Sequence, residues 1–332
     1  MWLVTGATGH IGNVLVRELL RRGEKVRVLV LPNEGRAPLA GLDIETVEGD
    51  VLNVDSLFEA MRGIKGVFHL AGIISIMPGA DELVRRVNIE GTQNILHVAK
   101  EMNVDRLVYT SSIHAIKRLE EGIIDETLPY DPENPYGEYD RAKAEATLAV
   151  ERAAHAGLEA VIVCPTGVIG PYDFRGSLMG NVIRTAAEKK PTLYVDGAYD
   201  FVDVRDVVNG LIAAAEKGRC GESYILSGQR ISVRYLLETV REITGKHFFK
   251  MKVPFDLAVF AALFTPMYYG FAKTSPRFTP YSLEVLRSNS NISHAKATDE
   301  LGYQPRPLYE SIRDAVKWLL EKKSISHRDT EV

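Results

Sequence analysis

Residues 5–12 read TGATGHIG. Trp2, Leu3 and Val4 precede them as a short apolar run suited to a buried strand. After the glycines, Ile11, Val14, Leu15, Leu19 and Leu20 recur at helical spacing through IGNVLVRELLRRG. Gly6, Gly9 and Gly12 therefore stand between a strand and a helix. In that context a glycine turn lets the backbone approach a pyrophosphate, and the helix that follows offers unpaired N–H groups and the positive end of its dipole. Spaced glycines alone would support only a tight turn. The strand before and the helix after turn the pattern into an expectation of dinucleotide binding.

Outward from this turn the first half of the chain alternates strand and helix patterns. Strands are expected over 25–31 (KVRVLVL), 42–47, 66–70 (GVFHL), 106–110 (RLVYT) and 159–164 (EAVIVC), and helices over 54–62, 81–102 and 139–156. Alternation of this kind, with right-handed crossovers, gives an α/β Rossmann architecture: a doubly wound parallel sheet with helices on both faces. Ligands of such sheets lie beyond the C-terminal strand ends. After Pro165 the rhythm changes to the loop-like TGVIGPYDFRGS and then to longer helical patterns with few strands. The expected division is a dinucleotide-binding domain over 1–170, rejoined by 199–228, and a smaller, mostly helical substrate lobe from 171–198 and 229–323. A frayed tail is expected over 324–332.

Composition narrows the function classes. Hydrophobic residues at 45%, charged residues at 25% and a net charge of −4, with no dense basic block, describe an ordinary globular chain and argue against a nucleic-acid partner. The two cysteines, Cys164 and Cys220, form neither a metal-ligand spacing nor a disulfide framework, so no metal is expected. The first strand leaves no room for a signal peptide, and a reducing cytoplasm is the expected location. Residues 253–272 are the most apolar stretch, yet the uninterrupted part, 257–264, falls far short of the roughly 20 residues of a spanning helix. A core or lid helix is expected there, with a membrane surface or lipid-like substrate as the alternative.

Tyr139 and Lys143 form a Y-x-x-x-K pair. Four residues make about one helical turn, so the two side chains share a face. A neighbouring ammonium favours the phenolate and is expected to lower the tyrosine pKa from about 10, fitting Tyr139 to exchange a proton with a ketone or an alcohol. A solvated helix face would be the reading of this spacing in isolation. Thr110, Ser111 and Ser112 end the fifth expected strand, where a hydroxyl can bond a substrate oxygen or make ordinary turn contacts.

The ordered set TGATGHIG, EGDV, HLAG, NIEGTQNIL, YTSSIHA, YDRAK, CPTGVIGP and FVDVRDVV resembles the extended short-chain dehydrogenase/reductase superfamily (the NAD-dependent epimerase/dehydratase family), over residues 1 to about 210. ATDELGYQPRPLYESIRDAVKW is similar to that group's C-terminal segment. Within the superfamily the dihydroflavonol-reductase-like and hydroxysteroid-dehydrogenase-like branch is the nearest in pattern. The resemblance implies that Gly6, Thr8, Gly9, His10, Ile11 and Gly12 form the pyrophosphate turn. It implies that Asp50 and Val51 flank the adenine, and that Leu70, Ala71 and Gly72 pass behind the adenosine ribose and pyrophosphate. Pro165 and Val168 would border the nicotinamide. Ser112 would polarise the substrate carbonyl, Tyr139 would transfer the proton, and Lys143 would tune Tyr139 and bind ribose. Asn88 would support the backbone of the site. Tyr136 is a rival tyrosine, but its +4 partner is Asp140, which cannot replace a lysine. The resemblance also implies a homodimer through helices near 81–102 and 139–156.

Some positions depart from the family pattern. Ala142 stands where Ser often precedes the lysine, and Cys164 where Arg commonly precedes the Pro-Thr pair. Leu31 supplies neither the acid of NAD-preferring relatives nor the Arg of NADP-preferring ones. Arg36 could reach a 2′-phosphate, whereas Glu34 would repel one or bind the free ribose, and the lean is to NADP within an NAD(P) cofactor. His114, Tyr172, Phe174, Tyr199 and the aromatics of 254–271 are the expected substrate lining, suited to a hydrophobic ring compound. His114 reads equally as a packed loop histidine. The expected function is reversible hydride transfer between a nicotinamide and a ketone or alcohol. A nucleotide-sugar epimerase with tightly held NAD is the alternative, although Thr166-Gly167 stands where sugar-binding relatives usually carry Asn. A dehydratase would need an Asp-Glu pair in place of Ile113-His114. A non-catalytic nucleotide sensor is more remote, because Tyr139 and Lys143 are both retained.

Overall fold

A computed structural model describes residues 1–74, 80–188, 192–245, 250–264 and 279–328. Its strands are β1 (Trp2–Thr5), β2 (Val26–Val30), β3 (Glu45–Glu48), β4 (Gly66–His69), β5 (Arg106–Thr110), β6 (Ala160–Pro165), β7 (Gly167–Ile169), β8 (Thr192–Tyr194), β9 (Ala198–Asp203), β10 (Ser223–Leu226), β11 (Gln229–Ser232) and β12 (Lys250–Lys252). Seven of them form one sheet in the order β10-β6-β5-β4-β1-β2-β3, with every pair parallel. The order reverses at β1, which lies between β2 and β4, and the glycine turn leaves β1 at that switch point. Leu3, Val4, Val67, Phe68, Leu107, Val108, Val161 and Ile162 are fully buried, so the central strands are apolar on both faces, as helix-covered parallel strands must be.

One face carries α1 (His10–Arg21) packed on α7 (Val204–Lys217). The other carries α2 (Val54–Ala60), α4 (Gly91–Glu101) and α5 (Glu138–His155). The helical pattern expected over 81–102 is interrupted: α3 (Asp81–Arg85) passes through a π turn at Arg86–Glu90 before α4 begins. The turn places Asn88 inward, 1% exposed, and π turns of this sort cluster at functional sites.

The C-terminal half supplies α6 (Leu178–Ala187), α8 (Val233–Thr244), α9 (Phe255–Leu263), α10 (Pro280–Arg287), α11 (Ala295–Leu301) and α12 (Leu308–Arg328). It also holds a β11-β9-β7 sheet and a β12-β8 pair, more strand than the helical reading anticipates. These strands are three to six residues long, too short for a clear alternating pattern. Helix α12 extends through Ser324 to Arg328, into the first part of the expected tail. Residues 329–332 lie outside the described residues. In the apolar stretch, Ala258 and Ala262 of α9 are buried, whereas Leu257, Phe260 and Phe264 are exposed; 265–278 lie outside the described residues. Among the described residues no helix is long and apolar enough to cross a membrane.

Candidate active site

The glycine turn is built by close approach. Gly6 has φ +68°, and a Cβ there would lie 2.7 Å from the backbone of Leu70 and Ala71. A Cβ on Gly12 would lie 2.1 Å from the Gly6 carbonyl oxygen. Gly9 caps α1 without a side-chain bond, and the first turn of that helix holds no acid. The helix therefore presents the N–H groups of His10, Ile11 and Gly12 as an anion-binding cradle. The His10 ring is turned away and donates to the Pro171 carbonyl at 2.9 Å.

A buried relay fixes the strand ends around this cradle. The amides of Leu70 and Ala71 donate to Thr5 Oγ1 at 3.2 and 3.1 Å. Thr5 Oγ1 also meets His69 Nδ1 at 2.8 Å, and His69 Nε2 meets Thr92 Oγ1 at 3.1 Å. Thr92 Oγ1 donates to the Asn88 carbonyl at 2.7 Å, which leaves the His69 proton on Nε2. Burial, with the Lys143 charge, pushes the His69 pKa down to about 3, so the ring stays neutral. Asn88 exchanges two bonds with the Ile73 backbone, 2.9 and 3.0 Å, and braces the segment after β4. Gly72 is exposed above it: a Cβ there would lie 2.8 Å from Asn88 Oδ1 and 3.7 Å from Lys143 Nζ. At the end of β3 the Asp50 carboxylate accepts from the Leu52 amide at 2.9 Å, Val51 is buried against Gly91, and Asn94 donates to the Val51 carbonyl at 3.0 Å.

Ser112, Tyr139 and Lys143 come together beyond β5, all at most 8% exposed. Ser111 is committed inward, 2.5 Å from Thr147 Oγ1, which itself donates to the Lys143 carbonyl. Ser112 Oγ accepts from the His114 amide at 3.2 Å and bonds the Tyr139 hydroxyl. Lys143 Nζ donates to the Thr110 carbonyl at 2.8 Å and to the Tyr109 hydroxyl at 3.3 Å. The expected lowering of the Tyr139 pKa is reversed: burial raises it to about 12, and the Ser112 bond only partly opposes this. Burial also lowers Lys143 to about 8. Desolvation of both groups outweighs the helical spacing from which the lowering was argued. Pro165 ends β6 beside Leu226, and Val168 lies in β7 beside Val202.

A second polar cluster adjoins Tyr139. Asp140 is fully buried and accepts from Arg118 at 2.7 Å and from the Tyr281 hydroxyl at 2.7 Å. Burial alone would raise its pKa, but the bond from the Tyr281 hydroxyl and the Arg118 charge hold it below the usual carboxylate range. Arg118 also grips Glu284 of α10 at 2.6 and 2.7 Å and donates to His114 Nδ1 at 3.2 Å. A guanidinium only donates, so Nδ1 accepts and the imidazole proton lies on Nε2, facing the Tyr199 hydroxyl at 3.2 Å. The His114 ring stands 6.3 Å from that of Tyr139 and 6.0 Å from that of Tyr199.

Of the residues expected to line the substrate, His114 and Tyr199 therefore lie by the triad. Tyr172 and Phe174 do not. They pack with Trp318 of α12, at 6.1 and 5.1 Å between ring centroids, and Arg17 covers Tyr172. Of the aromatics in 254–271, Phe255 lies under Arg287, and Phe260 and Phe264 pair on the outer face of α9. Arg36 pairs with Glu48 across two exposed side chains, while Glu34 turns toward Thr8. Arg118, Tyr281, Glu284, His69 and Thr92 are partners that residue spacing does not reveal, because they meet across 22 to 166 residues of chain. Among the described residues no cluster of His, Cys, Asp or Glu forms a candidate metal site.

The chain resembles known proteins over nearly its whole length. Residues 2–227 match the model of the NAD dependent epimerase/dehydratase family. The chain is 35% identical to sterol demethylase protein B of Methylococcus capsulatus, over 97% of this chain and 99% of that protein. It is 30% identical to a 3 beta-hydroxysteroid dehydrogenase/Delta 5-->4-isomerase of Mycobacterium tuberculosis, over 91% of this chain and 85% of that protein. The crystal structure of gox2253 superposes with a TM-score of 0.84 at 33% identity, covering 97% of this chain and 98% of that one.

Proposed function

Because the chain belongs to the NAD-dependent epimerase/dehydratase family and is an enzyme of the extended short-chain dehydrogenase/reductase type, we propose that it interconverts a ketone and an alcohol on a hydrophobic, ring-containing substrate. The observation that carries the reading is that Ser112, Tyr139 and Lys143 are all buried beyond β5, with Ser112 against Tyr139 and the Lys143 amine beneath Gly72. The cradle fits a dinucleotide diphosphate, with an uncapped helix and two glycines that leave no room for a side chain. When bound, the nicotinamide supplies or accepts the hydride.

In the reducing direction Ser112 donates a hydrogen bond to the substrate carbonyl oxygen and Tyr139 gives that oxygen its proton. A phenol with a pKa near 12 is fully protonated at neutral pH, ready to act as the acid. The Lys143 ammonium then stabilises the phenolate left behind, and its position under Gly72 suits it to hold ribose hydroxyls as well. Asn88 and the His69 relay keep the cradle and the segment after β4 in register. His114 and Tyr199 form the polar part of the substrate surface, with Phe201 5.7 Å from Tyr199 as an apolar neighbour. The names of the two curated relatives, a sterol and a hydroxysteroid protein, support a fused-ring substrate.

The test is turnover of hydrophobic ring ketones with NADH and NADPH by protein stripped of nucleotide. Net oxidation of either cofactor with formation of the alcohol is expected. NAD that resists dialysis, without net turnover, would replace this reading with an epimerase.

A further inference from the structure

The proton transfer from Tyr139 makes no use of Arg118, the hub of the polar cluster beside it. Arg118 follows the 3-10 turn Ile113–Ala115, and its side chain is 12% exposed. Three parts of the chain pin the guanidinium. Asp140 of α5 accepts from one terminal nitrogen at 2.7 Å, and both Glu284 oxygens of α10 accept from the other at 2.6 and 2.7 Å. The centre of the Tyr136 ring, just ahead of α5, lies 3.9 Å from the guanidinium carbon. Held in this way, the nitrogen on Asp140 also donates to His114 Nδ1 at 3.2 Å.

The guanidinium chooses between two forms of the imidazole. His114 Nδ1 lies 3.6 Å from Asp140 Oδ2, the oxygen that Arg118 occupies. With Arg118 in place, Nδ1 faces a group that only donates, and the imidazole proton is left on Nε2. Without Arg118, a proton on Nδ1 would have the buried Asp140 carboxylate for an acceptor, whose remaining donor is the Tyr281 hydroxyl at Oδ1. The choice reaches Tyr199, whose hydroxyl lies 3.2 Å from Nε2. An Nε2–H makes that hydroxyl an acceptor, and its own proton then has no acceptor among the described residues. A bare Nε2 would take the Tyr199 proton instead. Ser112 and Tyr139 already supply two donors to the reacting oxygen, one for each lone pair. The Tyr199 proton is therefore left for a different oxygen.

We propose that Arg118 is a positioning residue for the substrate: through His114 it makes the Tyr199 hydroxyl a donor to a second substrate oxygen, one besides the carbonyl that is reduced. The proposal deepens the ketone–alcohol reading and rests on it. The substrate class is a ring ketone that carries a further acceptor oxygen, such as a second carbonyl.

Two readouts test it. The first is the imidazole nitrogen-15 spectrum of full-length, histidine-labelled protein at pH 7.5, with His114 assigned through His114→Asn. The wild type is expected to carry the His114 proton on Nε2, and Arg118→Met to carry it on Nδ1. The second is steady-state reduction of a fused-ring diketone and of the matching monoketone, with a melting curve beside each variant. Tyr199→Phe is expected to raise the diketone KM about tenfold and to leave the monoketone KM unchanged. Arg118→Met is expected to raise the diketone KM likewise, and Arg118→Lys, which keeps a charged donor, to recover most of the loss. A wild-type proton on Nδ1, a diketone KM untouched by Tyr199→Phe, or an equal loss for both ketones overturns the proposal. The wild-type spectrum and Tyr199→Phe decide the matter even where Arg118→Met does not fold. A wild type that reduces neither ketone removes the reading beneath the proposal, and the spectrum separates that failure from a wrong tautomer.

Discussion

Lys143 shows how burial, rather than sequence spacing, sets the chemistry of a side chain. Its amine is 6% exposed and bonded to a carbonyl and a phenol, and its pKa falls to about 8. The ammonium is present below that pH and is lost above it. Dinucleotide affinity of the free protein is therefore expected to weaken as pH rises through 8, and Lys143→Met should show weak, pH-independent binding over the same range. Titrations between pH 6.5 and 9.5 check this; a wild-type affinity that is flat across pH 8 contradicts it. At this scale the glycines, Tyr139 and Lys143 were legible in the sequence because each motif spans at most eight residues. The direction of the Tyr139 shift was not, because it depends on what covers the ring.

At the scale of elements, the short β9 is held by Asp200. This carboxylate is 3% exposed and accepts from Thr166 Oγ1 at 2.6 Å and from the Gly228 amide at 2.9 Å, both at the same oxygen. Burial raises its pKa to about 6 against those two bonds. A carboxyl raised on folding adds stability that is full below its unfolded pKa, about 3.9, and is lost as pH rises through 6. Asp200→Asn keeps an oxygen for both donors and buries no charge. It is expected to melt like the wild type near pH 4 and to be more stable by about 3 kcal/mol at pH 7.5. Equal pH dependence in the two proteins would count against this account. The parallel strands and the first helices could be read from apolar runs and helical periods. The π turn around Asn88 and the three-residue strands β7, β8 and β12 could not, since one extra residue in a helix or a single bridged triplet leaves no period to detect.

For the whole molecule, a charged network ties the C-terminal segment to the sheet domain. Arg306, ahead of α12, grips Asp206 of α7 at 2.7 Å and donates its amide to the same carboxylate at 2.8 Å. Arg205 spans Asp203 at 2.7 Å and Asp314 of α12 at 2.8 Å. Asp203 and Asp206 are 1% and 4% exposed, so removing a partner leaves a buried carboxylate under-compensated. Arg306→Met is expected to lower stability by about 2 kcal/mol, read as a lower melting temperature. An unchanged melting curve would show the network to be surface decoration. The resemblance located this C-terminal segment from a motif, but its ion pairs, like the Asp140 cluster, join residues about a hundred positions apart and follow only from the fold.

The central claim is that the buried Ser112–Tyr139–Lys143 set transfers the proton of a nicotinamide-dependent ketone reduction. It is tested most directly by comparing wild type and Tyr139→Phe in steady-state reduction of a ring ketone, with cofactor Kd measured on the same preparations. The account predicts a fall in kcat of about 10²-fold or more with an unchanged cofactor Kd. Equal kcat in the two proteins would contradict it.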